Sequence, residues 1–213
     1  ETTYMFSPKV LDRANVIEFK VEHDDIGDFL DSPQNYPEIE KAADGVAEAF
    51  HALALQAREG TLTSLPKAGG EGDKKVHDQV QQHMLALFDM MQAGRFEFAY
   101  RTANEVMRYM LVCRHLAADQ TEWDNGGWKS DLDNQVLQKI LPKLHGSIGR
   151  VGDLLTALAN YCYKGEVVAK DKSIRLRDIP GLKAEDAAIS KSFTKLQAMI
   201  STLIDEQFVS FIQ

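Results

Sequence analysis

A chain of 213 residues, 44% hydrophobic and 26% charged, is long enough to bury one large core or two small ones. Its formal charge of −8 excludes a free-standing grip on nucleic acid, because phosphate binding needs clustered Lys and Arg rather than a net acidic surface. No apolar run reaches the ~20 residues of a membrane span, and Glu1-Thr2-Thr3 has none of the character of a signal peptide, so the expected location is cytoplasmic.

Ser7-Pro8 fits an N-cap followed by proline at the first helical position and predicts a single helical turn from Lys9 to Arg13. Ile17, Phe19 and Val21 then alternate with Glu18 and Lys20, the period of a half-buried strand over 16–21. It is the one strand the sequence predicts. A lone strand makes no sheet, so its partners are expected outside this chain or on another molecule. The acidic stretch EHDDIGDFLDSPQNYPE (22–38) lacks the Asp/Asn spacing of a calcium loop and reads as a solvated linker. Val46, Phe50, Leu53, Ala54 and Ala57 form a helical stripe ended by Gly60. SLPKAGGEGDKK (64–75) misses the spacing of a phosphate-binding loop and no apolar strand precedes it, which leaves a flexible loop.

Helices dominate the remainder. Val80, Met84, Leu87, Phe88 and Met91 make a stripe closed by Gly94. In RFEFAYRTANEVMRYMLVCRHL (95–116), Thr102 and Glu105 have capping-box spacing, which predicts a helix starting just after Thr102 with Val106, Tyr109, Met110 and Cys113 facing inward. Trp123 and Trp128 sit in an acidic, glycine-containing loop, either as an interaction tip or as an anchor onto the bundle. Ser130 with Asp133 can cap a helix carrying Val136, Leu137, Ile140, Leu141 and Leu144, which Pro142 should kink or end. After Gly149 and Gly152, Val151, Leu154, Leu155, Leu158 and Cys162 mark another helix. Pro180-Gly181 marks a turn, and Phe193, Leu196, Ile200, Leu203 and Ile204 mark the last helix. The fold class expected is therefore mainly α, a helical bundle with one short N-terminal strand.

Chemistry is sparse on this background. The six histidines include no i, i+4 pair, so zinc is not expected, and Cys113 and Cys162 read as buried reduced thiols. Lys139, Lys143 and Arg150 form either a face for a neighbouring protein or a solvated basic edge.

Four segments carry a resemblance. TTYMFSPKVLDRANVIEFKV (2–21) is similar to the segment of AAA+ nucleoside triphosphatases that carries an arginine finger and enters the fifth core strand. FEFAYRTANEVMRYM (96–110) resembles the lid helix bearing the second sensor arginine. LDNQVLQKILPKLHGS (132–147) and SFTKLQAMISTLIDEQFVSFIQ (192–213) resemble the C-terminal half of McrB-like motors of modification-dependent restriction and phage defence. The resemblance implies three parts: 1–21, the end of an α/β core; 22–75, a linker with one helix and a flexible loop; 76–213, a helical lid and C-terminal bundle. It implies Arg13 as the finger reaching a neighbouring subunit's nucleotide and Arg101 as the sensor acting in cis on the γ-phosphate. ATP or GTP with Mg2+ would be held mainly by Walker elements upstream of Glu1, so the fragment alone would not hydrolyse nucleotide. Implied partners are other AAA+ subunits in a ring, with a hexamer expected, an McrC-like nuclease subunit, and DNA only indirectly. Read without the resemblance, Arg13 pairs with Asp12 or Glu18, and Arg101 with Glu97 or Glu105. The whole chain then becomes an autonomous helical interaction module with no nucleotide role.

Overall fold

The structure is a computed structural model that describes residues 8–11, 13–19, 21, 23–31, 46–59, 65, 75–165 and 173–211. It is mainly α, as the helical stripes require. Two compact units are present, Glu1–Val16 with Ser64–Gln213, and Ile17–Thr63. These units divide the chain at 16/17 and 63/64.

The smaller unit holds α2 (His23–Asp31) and α3 (Val46–Glu59). α2 falls within the stretch expected to be linker. Its acidic first turn, Asp24 and Asp25, complements the helix dipole, and its Ile26, Phe29 and Leu30 lie on one face. In α3 Leu53 is buried, while Phe50 of the expected stripe is exposed. The expected strand is corrected here. Ile17, Phe19 and Val21 are 62%, 90% and 70% exposed, and the described residues of 16–21 join no ladder. Alternation sets which way side chains point, but a strand also needs an edge to pair with. Gly60 and most of 64–75 lie outside the described residues.

The larger unit is built on four long helices: α4 (Val76–Ala93), α5 (Tyr100–Leu116), α8 (Ile148–Lys164) and α9 (Ser190–Glu206). α8 packs along α9 and against α4, and α5 packs on α7 (Trp128–Gln135). Val80, Leu87 and Met91 of α4, Leu155 and Leu158 of α8, and Phe193, Leu196 and Ile200 of α9 are fully buried in one continuous core. α8 begins at Ile148, ahead of both glycines the sequence placed before it, because Ser147 already sits in extended N-cap geometry. It ends at Gly165 (φ +68), where a Cβ would stand 2.6 Å from the Ala188 Cβ; both the left-handed turn and the close approach require glycine.

Both tryptophans anchor. A short α6 (Gln120–Glu122), capped by the Asp119 carboxylate, runs into a wide turn over Trp123–Gly127, and Gly126 (φ +141) redirects the chain into α7. Trp123 and Trp128 are buried, the Trp123 Nε1–H donates to Asp131 at 2.7 Å, and Arg114 clamps Asp124 with two bonds of 2.7 and 2.8 Å. α7 loosens into a π-turn over Val136–Ile140 and stops in a 3₁₀ turn, Leu141–Lys143, where Pro142 ends the helical run.

Asp133 does not cap its own helix. Its buried carboxylate accepts the Lys191 and Ser192 backbone N–H groups at 2.8 Å each and the Ser192 hydroxyl at 2.5 Å, so it caps α9 from another helix. That replaces the cap α9 lacks, since its own N-cap residue is Ile189. Beyond Pro142, β1 (His145–Ser147) pairs antiparallel with β2 (Phe208–Ser210), with Gly146 opposite Val209. The HGS and FVS triplets, which lie within two of the segments that carry the resemblance, thus form one small ladder. The helical turn expected after Ser7-Pro8 is α1 (Pro8–Leu11), which packs on Leu141–Lys143.

Candidate functional site

Arg13 lies on an exposed turn after α1, closed by Arg13 N–H and Ala14 N–H donating to the Val10 carbonyl at 2.9 and 3.0 Å. Arg101 is exposed in the first turn of α5. That helix starts three residues before the expected boundary. Ala99 is its N-cap and Thr102 is fully buried inside the first turn, so Thr102 and Glu105 do not form a capping box. Among the described residues neither arginine enters an ion pair.

Glu105 is occupied by Lys139. Its carboxylate accepts from the Lys139 ammonium, which is only 2% exposed, and this corrects the placing of Lys139 on a solvated edge. Lysine pairs at this depth because an uncompensated buried ammonium costs several kcal/mol. One residue earlier, the Gln138 carbonyl accepts the Val16 N–H at 3.1 Å. The stretch 136–143 therefore braces both the chain that leads from Arg13 and the helix that carries Arg101. No hydrogen bond or ion pair among the described residues joins the two arginines to each other. Arg150 of the same expected basic set stacks 5.0 Å above the Phe96 ring.

A second feature was not legible as a site. Between α4 and the start of α5 lies an apolar groove of about 550 Å³, walled by Met84, Leu85 and Phe88 on one side and by Phe98, Tyr100 and Met107 on the other. Leu85 and Tyr100 are the residues the stripe reading passed over, because each falls outside the inward-facing rows; an apolar residue off its stripe was the available signal.

Inside the bundle, His83 is buried with its Nδ1 2.7 Å from the Tyr161 hydroxyl and its ring edge-on to Trp128, with centroids 5.4 Å apart. Burial, with the Lys129 charge adding to it, lowers the His83 pKa from 6.5 to about 4. Burial likewise raises the Tyr161 hydroxyl and the Cys162 thiol well above their ordinary values, and pushes Cys113 up to about 11, where Asp131 adds to the effect. These thiols are inert as nucleophiles. With the folded pKa of His83 below the unfolded one, the unfolded chain binds the extra proton; stability is complete above about pH 6.5 and declines as pH falls toward 4. Between pH 7 and pH 5 the wild type should lose about 2 kcal/mol that a His83→Phe variant keeps, read as the pH shift of the urea midpoint.

Among the described residues no group of three or more His, Cys, Asp or Glu side chains could hold a metal ion, and no helix is long and apolar enough to cross a membrane. The family described as Domain of unknown function (DUF8727) matches residues 54–208, a span that includes Arg101, the groove and β1 but not Arg13, and that ends at Phe208, the first residue of β2. Neither a curated protein nor a solved structure gives a match.

Proposed function

We propose, starting from a chain that belongs to this family over most of its length, that it is the helical lid and C-terminal region of an McrB-like AAA+ nucleoside triphosphatase motor. The observation that carries the reading is the state of Glu105: Lys139 takes its carboxylate, and Arg101, exposed one turn earlier at the start of the same helix, is left unpaired among the described residues. An arginine held there presents five donors beside helix N–H groups that have no intrahelical acceptor, an arrangement suited to a terminal phosphate.

Arg13 would supply a second guanidinium to the nucleotide of an adjoining subunit. The shared brace at 136–143 supports a coupling in which lid position and finger position change together. Bound nucleotide would supply the phosphoryl group to be transferred; this chain offers the two guanidinium groups, while the base, the ribose and Mg2+ would be held by residues outside it. In a restriction or antiphage system that movement would act on DNA through a partner nuclease.

The test is hydrolysis of ATP and GTP by the full-length natural protein. Arg101→Ala should weaken nucleotide affinity about tenfold, the size of a lost charge-assisted bond, with the α5 fold intact by circular dichroism. No hydrolysis of either nucleotide by the full-length protein, or unchanged affinity and turnover in the variant, removes the reading. The alternative, an autonomous helical interaction module, is favoured by the apolar groove of α4 and α5 and would leave nucleotide chemistry absent.

A further inference from the structure

We infer that the groove between α4 and α5 is the contact surface for a second copy of this chain, the two copies related by a twofold axis. The proposal does not rest on the nucleotide reading. The groove is open and almost wholly apolar, and two of its side chains project into solvent instead of filling it: Tyr100 is 94% exposed and Leu85 56%. Apolar surface of this kind is unfavourable in water and becomes favourable when another surface covers it.

Charge decides between occupants. At 100° per residue, the row beyond the groove on α4, next to Leu85, carries Asp78 and Asp89; the corresponding row on α5 carries Arg101 and Arg108. One rim is acidic; the other carries these two arginines against the single carboxylate of Glu97 just before the helix, a net basic edge. A partner helix of uniform sign would meet like charge on one wall, which is disfavoured. A twofold-related copy brings its α5 against this α4 and its α4 against this α5, so opposite signs meet on both sides. Tyr100 of each copy then enters the opening of the other. The contact is isologous, so it closes at two copies.

Sedimentation equilibrium of the 213-residue chain tests this, with the expected mass twice the 23.9 kDa monomer at about 100 µM. Leu85→Lys should raise the dissociation constant about 100-fold, because the axis places each substitution in the interface twice, while its thermal melt stays that of the wild type. Tyr100→Ser is the second variant and should weaken pairing in the same way. Arg108→Glu and Asp89→Lys should each self-associate poorly, and an equimolar mixture should pair about fivefold more tightly than either alone. A wild type that stays monomeric across that range overturns the proposal. So does an oligomer that Leu85→Lys and Tyr100→Ser leave unchanged, or a charge-reversed mixture no tighter than its components. Nucleotide is absent from all of these measurements, so their failure is separate from failure of the lid reading.

Discussion

Under the proposed finger role, Arg13→Ala in the natural protein should lower nucleotide turnover by about 10³-fold and leave the melting of the chain untouched. The two halves of that expectation have different grounds. The loss follows from the proposed finger role, in which a guanidinium stabilises charge on a transferring phosphoryl group, an effect of about 10³ to 10⁵ in other nucleotide hydrolases. The unchanged melt follows from position: the side chain is exposed, and the turn that carries it is closed by backbone bonds to Val10 that alanine would keep. Arg13→Lys separates charge from shape. A lysine retains the charge and loses the planar fork, so it should restore little of the rate. Wild-type turnover in Arg13→Ala leaves the finger role without support, and a drop in melting temperature as large as the drop in rate would show that the turn, not the guanidinium, was lost.

Phe193→Ala should destabilise the larger unit by about 3–5 kcal/mol, about 10 °C in melting temperature. Phe193 is fully buried on α9, its ring tilted against Tyr163 at 5.1 Å between centroids, and it sits in the core where α8 and α9 pack. Truncation removes a large transfer term and leaves a cavity that two long helices cannot close. Phe19→Ala provides the contrast. That ring is 90% exposed, so its removal should change stability by no more than about 0.5 kcal/mol. Equal melting of the two variants, measured by calorimetry on the whole chain, would be incompatible with the core described.

Residues 17–21 and 193–204 show what a sequence of this kind discloses. Phe193, Leu196, Ile200 and Leu203 repeat at helical spacing and face the core, since a helix of four turns needs one apolar row and supplies its own hydrogen bonds. Ile17, Phe19 and Val21 alternate just as cleanly and join no ladder among the described residues, since a strand's bonds must come from elsewhere. The same division explains the other departures. β1 and β2 are three residues each, too short for any period to register, and they meet across more than sixty residues of chain. Lys139 looked like a surface cation because its carboxylate partner lies thirty-four positions away on α5. Arg101 was legible as a residue at a helix start, although the boundary moved. The groove was not, because it is made from the residues that two inward-facing stripes leave over.

The remote cap on α9 has a consequence for how the unit holds together. The opening turn of a helix is ordinarily where it frays first, yet here the amides of Lys191 and Ser192 are pinned by a carboxylate rooted in α7. The last long helix therefore cannot unwind from its front end as an independent event; peeling it away must also strand a desolvated anion in the interior. That welds two stretches of chain fifty-eight positions apart into one cooperative block, and any force that tugs on either is felt by both.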